Sequence, residues 1–418
     1  MQGLIGTRTG KRLVLLGLMA CLMLGGVGSP PAWSHEACWA HIPLQQENPA
    51  KPPELTERDK QEVELGRKIV AEIEKQYKFV TDPALVERVN RVGQTLAAIA
   101  RQTHTEARWG EAGPAPFEYT FRIIDEKDVN AFSVPGGFIF IHKGLLDVVS
   151  SDDELAGVIA HEIAHADHRH VMALIRADNR VQQSVLLPAI LVGLLGRLPS
   201  DDFMNVALGA QLYRIAKVSA FSQEAETDAD LTALEYLRRS PYNPVGLLVF
   251  MERLASEERR RPQIDWGIVR THPVSRERVE RLRQALQAYG IPIRRREVSP
   301  ALRVLAVPVQ LDQPDGLYRV RFEKIDIFEP AHDPQLGSSR ERAMQLATEL
   351  NRLLDDGLEL YEVQLAPDRQ GVMVRGQLLV RITESDAQLA GRSREEIAAQ
   401  VREALRRLVW SESIRLMF

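Results

Sequence analysis

The 418-residue sequence predicts an α+β fold: a mainly helical domain with a small edge sheet, followed by a small C-terminal α+β domain. Three observations carry this. Before residue 300, long segments repeat their apolar residues with helical period. Within that helical stretch, "FEYTFRIID" and "GGFIFIHKGLL" read as short strands. After Pro300 the texture changes to alternating strands set between two helical segments.

The N-terminus stands apart from both domains. Arg8, Lys11 and Arg12 precede "LVLLGLMACLMLGGVG", and small residues follow at Ala32 and Ser34. A basic start, an apolar core short for a bilayer and a small-residue site read as a secretory signal peptide over residues 1–34. An uncleaved anchor and lipidation at Cys21 are the alternatives. Residues 35–55, with "HIPLQQENPAKPPEL", form a Pro-rich polar linker. Cleavage after Ser34 leaves Cys38 as the one cysteine, so an exported chain is expected to lack an internal disulfide. It also leaves 50 basic against 57 acidic residues, a mild acidity that argues against nucleic acid as the main partner.

The first domain is expected over residues 56–298. A helix begins near Thr56, with Leu65, Ile69, Val70 and Ile73 on one face. A second begins at Asp82, with Pro83 in its first turn. The two strands follow, and Asp152 and Asp153 open a third helix, where negative charge suits the macrodipole. "SVLLPAILVGLLG" is an apolar run broken by Pro188, too short for a confident membrane span. It reads as a helix capping the core, or as a flap in peripheral contact with a membrane or guiding substrate. The second domain, residues 299–418, has strands in "LRVLAVPVQL", "GLYRVRFEKIDIF", "GLELYEVQLA" and "GVMVRGQLLVRIT". Its helices lie in "SSRERAMQLATELNRLLDD" and "SREEIAAQVREALRRLV".

The third helix carries "HEIAH". His161 and His165, four residues apart, project from one face about 6 Å apart along the axis, a spacing that chelates zinc. Glu162 stands beside the first imidazole, within reach of a water activated by that metal. A solvated polar helix face is the alternative, but apolar residues surround the histidines, and burying them unpaired is unfavourable. A catalytic zinc takes a third protein ligand. Downstream, "FSQEAETDADLTALEYL" offers Glu226, with Asp230 one turn later positioned to accept the other N–H of a ligand imidazole. Glu224 and Asp228 read as solvated charges, and His168 as solvated or peripheral to the centre.

Four motifs stand in order: "VNAFSVPGGFIFIHKGLL", "ELAGVIAHEIAH…RH", "FSQEAETDAD" and "RTHPVSRERVERL". Together they resemble the zinc endopeptidase family that contains the CAAX prenyl protease, HtpX and periplasmic BepA, over about residues 56–290. The resemblance implies a zincin (HExxH) domain holding one Zn2+ per chain on His161, His165 and Glu226, with Glu162 as general base and Asp230 in support. Gln223 departs from the arginine the family often carries there. His170 matches the family's "RH" and reads as structural. For His272, in "THP", the resemblance implies a latch that approaches the zinc; a turn histidine capping the next helix is the alternative. Arg278 is a candidate for steadying the oxyanion, against an ordinary helix-surface arginine.

The function expected is cleavage of unfolded or misassembled polypeptides in the periplasm or envelope of a bacterium, a quality-control role. Gly137, Phe138, Ile139 and Phe140 are the expected substrate residues, at a sheet edge where a peptide is added as a further strand. Gly136 and Gly137 serve as turn glycines. The rivals are a latched, mostly silent protease acting as a chaperone for envelope proteins, and a structural or scaffold protein in which the C-terminal domain acts. The second domain carries no legible chemistry, and binding an envelope partner or presenting substrate is the modest expectation.

Overall fold

The computed structural model describes residues 54–177, 223–260, 267–274, 276–310 and 316–416. The segment read as a signal peptide, nearly all of the expected linker, both cysteines and the apolar run at 184–196 lie outside the described residues.

The first core is built on helices. α1 (Glu57–Gln76) opens on a capping box in which Thr56 and Asp59 satisfy each other's backbone N–H groups. α2 (Pro83–Ala100) starts on Asp82, whose carboxylate accepts from Ala84 and Leu85. Three strands follow: β1 (Thr120–Ile124), β2 (Ala131–Val134) and β3 (Phe138–His142). They lie in the order β1-β3-β2, with β3 parallel to β1 and antiparallel to β2. Gly136 and Gly137, at φ 84° and 88°, make the turn between β2 and β3. A Cβ at Gly137 would stand 2.9 Å from that of Phe117. Close packing as well as turn geometry therefore requires glycine.

Next come α3 (Lys143–Val148), α4 (Asp152–Asp167) and α5 (His170–Ala177). α4 is capped by Ser151 and carries Asp152, Asp153 and Glu154 in its first turn. It is the central helix: α2 and β2 pack against it, as do α6 (Gln223–Arg238) and α7 (Val245–Arg260). Every residue from Glu154 to Asp167 is buried, so α4 has no solvent face. The short α8 (Gly267–Thr271), then α9 (Arg276–Ala288) and α10 (Arg295–Val298), complete this part.

A second core begins at Val304 and is separate from the first, whose last fully buried member is Val298. Two three-stranded antiparallel sheets build it. One is β4 (Leu305–Pro308), β5 (Tyr318–Phe322) and β6 (Ile325–Phe328). The other is β7 (Val363–Leu365), β8 (Gly371–Val374) and β9 (Gln377–Arg381). α11 (Ser339–Asp355), α12 (Glu384–Ala390) and α13 (Arg394–Leu416) accompany them. Polar contacts join the two cores: Arg296 pairs with Asp355 at 3.0 Å and with Glu412. Among the described residues, no helix is long and apolar enough to cross a membrane.

The sheet order corrects one expectation. β3 is the central strand, with Ile139 paired to Phe121 on one side and Ser133 on the other. Ile139 and Phe140 are buried, so Gly137, Phe138, Ile139 and Phe140 do not form a free edge. The chain returns through β3 between two strands already laid down, a long-range arrangement that strand periodicity does not encode.

Candidate metal centre

α4 presents His161 and His165 from one face, and α6 brings Glu226 against them. His161 Nε2 lies 3.0 Å from His165 Nε2 and 3.4 Å from Glu226 Oε2, while His165 Nε2 lies 3.4 Å from Glu226 Oε1. His272 follows α8, whose first turn is anchored by Ile268 N–H donating to the Val129 carbonyl just before β2. Its Nδ1 stands 3.4 Å from His161 Nε2 and 3.0 Å from Glu226 Oε1. A tetrahedral zinc with bonds of ~2.0–2.1 Å requires donor atoms ~3.3 Å apart. The four side chains therefore offer one donor set of the right spacing, and all four are buried.

The charges fit a dication. Among the described residues, three buried carboxylates meet at the site, Glu162, Glu226 and Asp230, against one buried guanidinium, Arg278. Two negative charges are left over, and such an excess in a dry interior is strongly unfavourable. The histidines respond to it. Burial opposes a charge on His161, yet Asp230 and Glu226 raise it to about 10; burial holds His165 well below its ordinary value. Burial also disfavours the Glu226 carboxylate, but Arg278 and His272 outweigh it and hold the group well below the usual range.

Asp230 Oδ1 lies 3.0 Å from His161 Nδ1. Glu162 is 1% exposed, neither of its oxygens accepts a hydrogen bond among the described residues, and Oε1 is 3.4 Å from His272 Nε2. An apolar pocket lined by Val158, Leu247, Phe250 and Ile268 opens beside it. Glu224 is exposed, as expected of a solvated charge.

Arg278 is 2% exposed, which rules out the alternative of a helix-surface arginine. Its guanidinium pairs with Asp230 at 2.8 Å and Glu226 at 2.7 Å and donates to the Pro273 carbonyl at 2.8 Å. These contacts are with the centre's own carboxylates and the loop after His272, which suits bracing them more than meeting an oxyanion. His272 stands at the centre, and not in the alternative position capping α9. Asp228 is buried, not solvated: Oδ1 accepts from the Arg108 N–H, and Oδ2 meets His168 Nδ1 and, at 3.1 Å, His170 Nε2. Burial disfavours the Asp228 carboxylate, but these histidine contacts hold its pKa well below the ordinary value. His168 is likewise buried. The signal for this cluster was the histidine density of "HADHRH", which helical spacing alone could not aim.

Residues 68–286 match the model of Peptidase family M48, and residues 319–409 match a domain of unknown function (DUF8459). Among curated proteins, the chain is similar to the beta-barrel assembly-enhancing protease of Escherichia coli K12, with 30% identity over 52% of this chain and 42% of that protein. It is also similar to metalloprotease LoiP of the same organism, 33% identical over 41% of this chain and 64% of the relative. A third relative is the mitochondrial metalloendopeptidase OMA1 of Schizosaccharomyces pombe, 29% identical over 42% of this chain and 49% of the relative. The chain thus spans less than half the length of the beta-barrel assembly-enhancing protease it matches. With a donor set on HExxH and a downstream glutamate, and a family match across more than half of its length, the chain belongs to peptidase family M48.

Proposed function

We propose that this chain is a zinc-dependent endopeptidase of the bacterial cell envelope that cleaves unfolded or misassembled polypeptides. The observation that carries it is the buried donor set of His161, His165, Glu226 and His272 with the Glu162 carboxylate beside it. His161, His165 and Glu226 would hold one zinc. When bound, zinc supplies Lewis acidity: it polarises a peptide carbonyl and brings the pKa of water toward neutrality. Glu162 takes a proton from the attacking water and delivers it to the leaving amine, so its carboxylate must be within reach of both. Asp230 orients His161, and Arg278 braces Glu226, Asp230 and the Pro273 carbonyl. The apolar side chains of Val158, Leu247, Phe250 and Ile268 beside Glu162 shield the exchange from bulk water.

Among the described strands, β2 rather than β3 combines an outer edge with packing against α4. β2 is therefore the strand beside which an extended peptide is added, a mode that reads backbone and suits unfolded chains. The basic and apolar pattern of residues 8–34 supports export. Residues 299–418, with a core of their own, are assigned as a module that binds an envelope partner or presents substrate.

A second reading has its own support. His272 supplies a fourth protein donor at the place a water takes in a catalytic zinc site. A resting enzyme latched in this way is nearly silent and can hold unfolded envelope proteins as a chaperone does. Hydrolysis of denatured casein, measured with zinc content, separates the readings. Zinc with cleavage supports the peptidase, zinc with silence in both the wild type and His272→Ala supports the holding role, and a chain that binds no zinc contradicts both.

A further inference from the structure

Behind His165 lies a chain of side chains that the proposed hydrolysis does not use. His165 Nδ1 faces His170 Nδ1 at 2.9 Å. His170 Nε2 lies 3.0 Å from the Trp109 carbonyl and 3.1 Å from Asp228 Oδ2. Asp228 Oδ2 also meets His168 Nδ1, and His168 Nε2 lies 2.7 Å from the Thr105 hydroxyl. His168, His170 and Asp228 are all buried.

We propose that His170, held by Asp228 and the Trp109 carbonyl, is a positioning residue that fixes the ligand His165 in the tautomer and orientation needed to bind metal. The proposal rests on the zinc reading given above. His165 turns Nε2 toward His161 and Glu226, so that nitrogen must carry a lone pair and the ring proton belongs on Nδ1. His170 Nδ1 must then accept, which puts its own proton on Nε2. That nitrogen faces two oxygens that only accept, the Trp109 carbonyl and the Asp228 carboxylate. His168 donates from Nδ1 to the same carboxylate oxygen, and its Nε2 meets the Thr105 hydroxyl, which can donate or accept. One consistent assignment runs from Asp228 to the metal centre, and any other placement of the protons on His170 and His165 sets two donors or two lone pairs against each other.

The same trio is the second group of side chains whose donor atoms gather closely enough to hold a metal themselves. Their hydrogen bonding argues for the relay. None of the ring nitrogens or carboxylate oxygens of His168, His170 and Asp228 lacks a hydrogen-bond partner. Outer partners of this kind typically account for 10–100-fold in metal affinity.

The test measures zinc affinity of the full chain by competition with a chromophoric chelator. His170→Phe keeps a ring but offers no acceptor, and His170→Gln restores one. The phenylalanine variant is expected to bind zinc about 10–100-fold more weakly, with the glutamine variant recovering most of the loss. Equal losses in the two variants assign His170 to packing and overturn the proposal, as does wild-type affinity in the phenylalanine variant. Two zinc ions per wild-type chain, one of them lost in His168→Ala, also overturn it by making the trio a metal site. A wild type that binds no zinc instead contradicts the centre itself. A measurement independent of any variant's folding uses the zinc-loaded wild type labelled with 15N-histidine. A scalar coupling across the hydrogen bond between His165 Nδ1 and His170 Nδ1 is expected, and its absence overturns the relay.

Discussion

His272 Nδ1 lies 3.0 Å from Glu226 Oε1, although 46 residues separate the two in sequence. That distance puts an imidazole from the loop after α8 against the ligand carboxylate of α6, in a site where three other donors already converge. In the zinc reading proposed above, this fourth donor must leave before water and substrate can use the same position.

Replacing His272 by alanine is therefore expected to raise basal cleavage of an unfolded protein, or at least leave it at the wild-type rate, with zinc still bound. A population held mostly in the latched state lowers apparent activity by the fraction that is open, so opening it permanently removes that penalty. Initial rates on denatured casein check this. A large fall in turnover with full zinc occupancy would instead place His272 among the residues that act on substrate.

Glu162→Gln is expected to keep zinc and lose hydrolysis by about 10²–10⁴-fold, because the amide cannot accept and return the proton. Metal analysis alongside the rate assay reads both quantities. Near-wild-type turnover would show that another group moves the proton.

Glu226→Ala removes a ligand and also leaves Arg278 buried with Asp230 as its remaining carboxylate partner at the centre. Zinc binding and the rise in melting temperature that zinc produces should be lost together, since ligand binding to the folded state alone contributes roughly 2.7 kcal/mol at 100 Kd. Unchanged zinc content would assign the ligand role to a different acid.

Arg169 stands between α4 and α5 at φ 54° and pairs with Asp59 and Glu62 of α1, all three buried. Arg169→Met would leave two carboxylates buried without their cation, and breaking a buried pair in this way typically lowers stability by about 3–5 kcal/mol. Denaturant unfolding of the metal-free chain checks this, and a change under 1 kcal/mol would mean that α1 is held by its apolar contacts alone.

Local spacing accounts for what the sequence made legible. His161 and His165 share a face because four residues make about one turn, and the caps at Thr56, Asp82 and Ser151 lie within three residues of the N–H groups they satisfy. Asp228 was misjudged for a physical reason. α6 is buried at every residue from Ala225 to Asp230, so this stretch carries no amphipathic stripe to separate buried polar residues from solvated ones. The place of β3 depends on pairing with β1 across a parallel crossover, which no run of residues in β3 encodes. For Arg278 the sequence left a helix-surface arginine open as the alternative, because its partners Glu226 and Asp230 stand on another helix.

The most direct measurement is a zinc titration of the metal-stripped chain, with cleavage of denatured casein followed for the wild type and His272→Ala. Stripping should abolish hydrolysis. Added zinc should restore it with saturation at one equivalent per chain, and His272→Ala should reach at least the wild-type plateau. Hydrolysis that survives stripping, or none in either protein at one bound zinc, would contradict a zinc-dependent endopeptidase.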